Sequence, residues 1–275
     1  MGAVPNVADL CRDLSDEQGS LDSLLSGLGA GDWARPTPAE GWDVQDSLSH
    51  LCFFEEAAAL AVTDRAGFEA HRARLVEELA RAGGDGSRPD VALGRSLRDP
   101  ALLLDRWRGA RARYIEAVTE ADAEAHRRGA RLRVPWYGPD MSPESFTTAR
   151  ILEAWAHGVD IRDAVSARLE PSLRLRHVCH IGYGARAFSF AVHGMADPGD
   201  PVRLEVDAPD GTVWTWGPED AADRVRGPAL DVALVLAQRR HVSRTALQVT
   251  GPVAELWISI AQAFAGPPTT TPPDR

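Results

Sequence analysis

SPESFTTARILEAWAHGVDIRDA, residues 142–164, reads as one helix with Glu153, His157 and Asp160 on a single face. Ser142 suits the N-cap because its hydroxyl accepts an N–H that the first turn leaves unbonded. Pro143 suits the first helical position, where no N–H is needed. Glu153 and His157 are four residues apart, so both side chains reach the same point beside the helix. Phe146, Ala149, Ile151, Leu152 and Ala156 supply apolar flanks, and Trp155 reads as core. A carboxylate and an imidazole turned into a helical bundle need partners. A divalent metal is one, since carboxylate oxygen and imidazole nitrogen are both zinc ligands. A hydrogen-bonded or solvated pair is the other, and the spacing alone does not separate them.

A second helix runs from about Asp43 to Val62, within PTPAEGWDVQDSLSHLCFFEEAAALAV. Gly41 ends the preceding turn, and Asp43 caps the helix by accepting a backbone N–H. Val44, Leu48, Leu51 and Ala58 mark the buried stripe, with His50 beside it. His50 is either a third metal ligand or a hydrogen-bonded core residue, with Asp46 one turn earlier as its carboxylate partner. Two His and one Glu from two helices, plus water, make the pattern of an open zinc site.

The rest of the chain bounds the answer. It has 275 residues, 44% hydrophobic and 25% charged, the composition of an ordinary globular protein. A net charge of −10 and a pI near 5.3 argue against nucleic-acid binding, which calls for a basic face. No apolar run reaches bilayer length, and the N-terminus lacks a basic start followed by an apolar core, so neither a membrane span nor a secretion signal is expected. Cys11, Cys52 and Cys179 are an odd number without metal-type spacing; they fit a reducing cytoplasm as small buried hydrophobes.

Helical periodicity marks a first helix from Val7 to Leu28, a charged third helix over about Arg65–Ala82 that stops at Gly83, Gly84 and Gly86, and a fourth from Asp99-Pro100. The loop RVPWYGPDM, residues 133–141, leads into the Glu153/His157 helix and either fixes its approach or walls a site. Four long amphipathic helices with polar groups turned inward form a bundle with a core site. Past Leu169 the pattern changes. Residues 173–191 read as a helix leaving the bundle. Val202–Val206 and Thr212–Trp216 alternate around the hairpin signal Asp210-Gly211. Pro228–Gln238 and Pro252–Phe264 read as helices around a strand at Ala246–Val249. His177 and His180 are expected at the surface. The expected organisation is a helical bundle over residues 1–168, a small α+β domain over 169–266 and a disordered tail over 267–275.

Several phrases together resemble one known family. They are TPAEGWDVQDSLSHL, VPWYGPDMSPESFTTAR, EAWAHGVDIRDA, and QRRHVSRTALQVTG with the later AQAFAGPP. They resemble the actinobacterial, mycothiol-dependent maleylpyruvate isomerase-like proteins. That resemblance implies a DinB-like metal-binding four-helix bundle followed by a C-terminal α+β domain similar to sterol-carrier modules. It implies metal ligation by His50, Glu153 and His157; Asp160, one turn beyond His157, reads as an outer-shell or capping residue, with a fourth ligand as the alternative. It also implies a functional Arg from the C-terminal domain, for which Arg239 and Arg240 both stand in the QRRH segment. WYGPDMS and AWAHGVDIRDA are similar to a subgroup described only as metal-binding.

The chemistry this implies is a zinc with an open position that binds a thiol, mycothiol in this family, as thiolate. The thiolate attacks a small electrophilic substrate, giving isomerisation or thiol transfer, with Arg239 or Arg240 pairing with a carboxylate or enolate charge. The ligand set also admits nickel or iron. Two other readings use the same residues: a thiol-independent metal-assisted hydrolase or lyase, and a non-catalytic, metal-stabilised ligand-binding protein. The expected partners are a small molecule and, at most, a second copy of the chain, as monomer or homodimer.

Overall fold

The computed structural model describes residues 5–82, 88–97 and 99–275. The chain divides into two compact units, residues 1–168 and 169–275. The first is helical. Its α1 (Val7–Ser26), α2 (Val44–Thr63), α5 (Pro100–Arg127) and α6 (Pro143–Ala164) form a four-helix bundle in which α1 packs on α5 and α6, and α2 on the same pair. Two further helices, α3 (Arg65–Ala82) and α4 (Pro89–Leu97), lie against α2. The nine-residue α4 is not legible as a helix in the sequence. The expected glycine stop of α3 lies outside the described residues.

Helix starts follow the capping rules. Asn6 caps α1, Asp99 caps α5 ahead of Pro100, and Ser142 caps α6 ahead of Pro143. At α2, Asp43 and Asp46 form a reciprocal capping box. Among the described residues, apolar side chains of the bundle gather into clusters, two of which follow the long helices. One gathers Leu14, Ala57, Tyr114, Phe146 and Ala154, the other Leu21, Leu51, Cys52, Trp107 and Ile161. Along each long helix a polar residue falls between the two: Gln18 on α1, Glu55 on α2, Arg111 on α5 and His157 on α6. All three cysteines are buried and reduced.

The second unit opens with α7 (Leu175–Gly184) and α8 (Arg186–Val192). The single helix expected over 173–191 is therefore two, broken at Ala185, and it belongs to this unit: α7 packs on α9 (Ala229–Leu236). The contact is close because Gly182 has no Cβ to meet the Leu236 side chain. His177, expected at the surface, is buried because it lies on the inner side of α7 beside Val178 and Cys179. Strands β1 (Val202–Asp207), β2 (Val213–Trp216), β3 (Asp223–Pro228) and β4 (Gln248–Thr250) form a sheet in the order β2-β1-β3-β4. The β1–β3 pair is parallel and the outer pairs are antiparallel. Val202, Leu204, Val206 and Val225 are buried, while the intervening Arg203, Glu205, Arg224 and Arg226 are not, so one face is apolar and the other wet. In the segment 267–275, backbone carbonyls accept from a side-chain amide and from a backbone N–H of the 238–241 turn. The Thr269 carbonyl accepts from Gln238 at 2.7 Å, and the Arg275 carbonyl from the His241 N–H at 3.0 Å. Among the described residues no helix is long and apolar enough to cross a membrane.

Helix α10 (Pro252–Ile260) has no cap of its own, because Gly251 at φ 93° precedes it. Asp223 of β3 substitutes: its Oδ1 accepts from Val253 N at 2.7 Å and Ala254 N at 2.9 Å. Asp223→Ala is expected to lower the unfolding free energy of this unit by about 1–2 kcal/mol, and Asp223→Asn by less, because the amide oxygen still accepts. Urea unfolding of the two variants against the parent measures both.

Candidate metal centre

Helices α2 and α6 pack together, which places His50 opposite the i,i+4 pair Glu153 and His157. One donor atom from each of the three lies within 4.8 Å of the others. Glu153 Oε2 is 3.5 Å from His50 Nε2 and 3.7 Å from His157 Nε2. The imidazole side chains are 12% exposed and the carboxylate 26%, so the centre is recessed but open to solvent. The three residues named from the sequence are thus brought together.

The outer groups explain why. Behind His50, Nδ1 lies 2.7 Å from Oδ2 of Asp90 on α4. Asp90 is itself gripped by Arg88, with Nε on Oδ1 at 3.1 Å and a terminal nitrogen on Oδ2 at 2.8 Å. Behind His157, Nδ1 lies 3.7 Å from Asp160 Oδ2, so Asp160 stands on the far side of the ring from the centre. The Asp46 partnership expected for His50 does not form. Asp46 is taken by the capping box and by the Arg95 guanidinium at 2.7 Å, because an aspartate four residues ahead of His50 is already committed to the helix start. Asp90 carried no signal in the sequence, as its helix and its forty-residue separation from His50 were both invisible there.

Rings wall the centre. Trp42, in the turn before α2, stacks on His157 at 5.8 Å and tilts on His50 at 5.2 Å. Phe54, one turn after His50, packs on it at 4.7 Å and meets Trp136 and Tyr137 of the 133–141 loop. That loop is anchored rather than free: Trp136 stacks on Phe68 of α3, and Tyr137 hydroxyl meets His71 Nε2 at 2.8 Å.

The electrostatics follow from these contacts. Burial would push the His50 imidazolium down, but hydrogen bonds to Asp90 and Glu153 and the charge on both outweigh it, and its pKa rises. Burial would push the Glu153 carboxyl up, but His50, Arg150 and His157 hold it well below the usual carboxylate range. Asp90 is likewise depressed, against its burial, by His50 and Arg88. An ionised Asp90 has only acceptor oxygens, so His50 Nδ1 carries the proton and a neutral His50 turns its Nε2 lone pair toward Glu153. Two nitrogen lone pairs and a carboxylate oxygen facing one another repel unless something positive stands among them. Two imidazoles and a carboxylate, each imidazole with a carboxylate behind Nδ1, fit a divalent cation as a three-ligand set with an outer shell.

Beneath the centre lies a second polar layer. Gln18 donates to Glu55 at 3.0 Å deep in the bundle, and Arg150 sits over the Trp136 ring at 5.1 Å. Glu55 is 1% exposed, and burial, with Glu153 nearby, raises its pKa to about 7 against the pull of Arg150 and Gln18. The two arginines named from the sequence, Arg239 and Arg240, lie in the second unit, in the turn after α9. Their N–H groups both donate to the Leu234 carbonyl, at 2.7 and 3.2 Å.

Residues 14–162, which include all three donors, match the family described as the mycothiol maleylpyruvate isomerase N-terminal domain. Two Mycobacterium tuberculosis proteins, from strain CDC 1551/Oshkosh and strain ATCC 25618/H37Rv, are 40% identical over 265 residues. Each alignment covers 96% of this chain and 96% of the relative, and both relatives bear only the name uncharacterized protein. The crystal structure of the mycothiol-dependent maleylpyruvate isomerase superposes with a TM-score of 0.57 at 18% identity, over 87% of this chain and 92% of that one. A histidine-to-alanine mutant of the same enzyme gives 0.56 at 17%. At such identity the likeness to the solved structures is one of fold.

Glu55 gives the bundle a pH signature. With its folded pKa raised from 4.5 to about 7, the native state holds a proton that the unfolded chain has released. Stability therefore falls as pH rises through that window, and the full cost, roughly 3 kcal/mol, is present above it. Glu55→Gln keeps the oxygen that Gln18 needs and removes the titration. Urea unfolding in chelator at pH 5 and pH 8 should show the variant gaining on the parent at the higher pH.

Proposed function

This chain belongs to the mycothiol maleylpyruvate isomerase N-terminal domain family, and on that premise we propose that it is a metal-dependent, thiol-dependent enzyme. The proposed reaction is isomerisation of, or thiol transfer to, a small electrophilic substrate, with mycothiol as the thiol. The observation that supports it is the facing of two imidazole nitrogens and one carboxylate oxygen within 4.8 Å, inside the stretch that matches the family.

His50, Glu153 and His157 would hold the cation, zinc in the first instance. A divalent cation with three protein ligands supplies an open position and the Lewis acidity that keeps a thiol ionised at neutral pH. The chain's own groups do the rest. Asp90 fixes the His50 ring, and Glu153, kept ionised by Arg150, offsets one of the two positive charges. Trp42 and Phe54 line the recess and keep water from one side of it. Arg239 or Arg240 is the proposed partner of a substrate carboxylate or a developing enolate, through charge-assisted hydrogen bonds.

Zinc titration of the purified chain is expected to give one tight site. His50→Ala should weaken it by more than the roughly 100-fold that loss of an outer partner costs; unchanged affinity would overturn the ligand set. Turnover of an activated electrophile is expected to rise with added mycothiol and to vanish in chelator. Activity that ignores thiol but needs metal would instead mark a hydrolase or lyase.

A further inference from the structure

Helix α4 gives the site no ligand, yet it is fastened along α2 from the capping turn to the site. At the far end Arg95 forks onto Asp46 at 2.9 and 2.7 Å. Next, Gln45 donates to the Gly94 carbonyl at 2.8 Å, and Gly94 N donates to Ser49 Oγ at 2.7 Å. Ser49 Oγ in turn donates to the Asp90 carbonyl. The approach requires glycine at position 94, since a Cβ there would stand 2.7 Å from the Ser49 Cβ. The near end of this ladder is the Asp90 carboxylate, 1% exposed, on His50 Nδ1. Arg88 grips the same carboxylate from outside, and its guanidinium lies over the Trp42 ring at 5.3 Å.

We infer that Asp90 is a positioning residue: through α4 it fixes the tautomer and the rotation of His50, and so sets how tightly the centre holds its cation. Two nitrogens of a free imidazole compete for the one proton. A carboxylate anchored 2.7 Å from Nδ1 decides the contest, leaves the Nε2 lone pair bare, and locks the ring plane toward Glu153. Arg88 keeps Asp90 aimed, since its fork occupies both oxygens in a fixed plane. A short helix without ligands thereby controls a site on two others. The inference rests on the metal reading of the centre, and the experiment separates the two.

Zinc affinity is measured on the full chain by competition with a chromophoric chelator, for the parent, Asp90→Asn, and Gln45→Ala. Gln45→Ala loosens α4 without touching Asp90. Asp90→Asn should weaken zinc by about 10- to 100-fold, and Gln45→Ala by no more than about threefold. Asp90→Asn within twofold of the parent overturns the inference, as does an equal loss in both variants, which would assign the effect to helix docking. Nitrogen-15 spectra of the zinc-free chain, at a pH where His50 is neutral, provide a metal-independent readout. The parent should show protonated Nδ1 and bare Nε2, and Asp90→Ala a mixture; protonated Nε2 in the parent overturns the inference. A parent that binds no zinc defeats the metal reading alone, while the tautomer still decides the role of Asp90.

Discussion

Two imidazole nitrogens directed at one carboxylate oxygen repel one another, and the first unit is arranged to hold them there. Each ring has a carboxylate on the side of Nδ1, and the 2.7 Å contact of Asp90 commits His50 to present Nε2 inward. Glu153 stays ionised because Arg150 and both histidines stand near it. The carboxylates of Asp90 and Glu153 raise the His50 pKa despite its burial. A divalent cation would have charge enough for all three donors at once. Every proton displaced from the rings is a cost to binding, so the pre-set tautomer matters.

The bundle accommodates this charge by segregating it. Two apolar clusters follow the long helices, and each long helix places its polar residue between them. Helix α6 shows the consequence. It is buried on nearly every side, and among its buried residues are Thr147, Thr148, Arg150, Asp160 and Arg162. Their hydrogen bonds stay local where they can: Thr147 and Thr148 donate back to the carbonyls of Pro143 and Glu144. Tyr114 reaches across from α5 to Thr147 at 2.8 Å, joining two helices through one hydroxyl pair. A layer of this kind costs stability relative to an apolar one, and the raised pKa of Glu55 is a direct sign of that cost.

The second unit solves a different problem. A four-stranded sheet with one wet face must cover its other face, and α9 and α10 do so through contacts with β1, β3 and β4. Its devices are economical: Asp223 opens β3 and caps α10 with one oxygen. Gly217 at φ 81° lets the chain pass against the Val202 carbonyl, where a side chain would collide.

Local rules were enough to read much of this chain. Caps at Asp43, Asp99 and Ser142 obey one-turn geometry, and so do the period of α1, α2, α5 and α6 and the hairpin at Asp210-Gly211. That Glu153 and His157 share a face follows from 3.6 residues per turn. That His50 faces them depends on how α2 rotates against α6, which the resemblance to a family could suggest but no spacing could fix. What only the tertiary structure decided is the long-range pairing. Asp90 on His50, Arg95 on Asp46 and Gln18 on Glu55 join residues forty, forty-nine and thirty-seven positions apart. A nine-residue helix such as α4 gains its stability from the surface it docks on, not from its own residues, so neither its existence nor its carboxylate could be seen before the bundle was built.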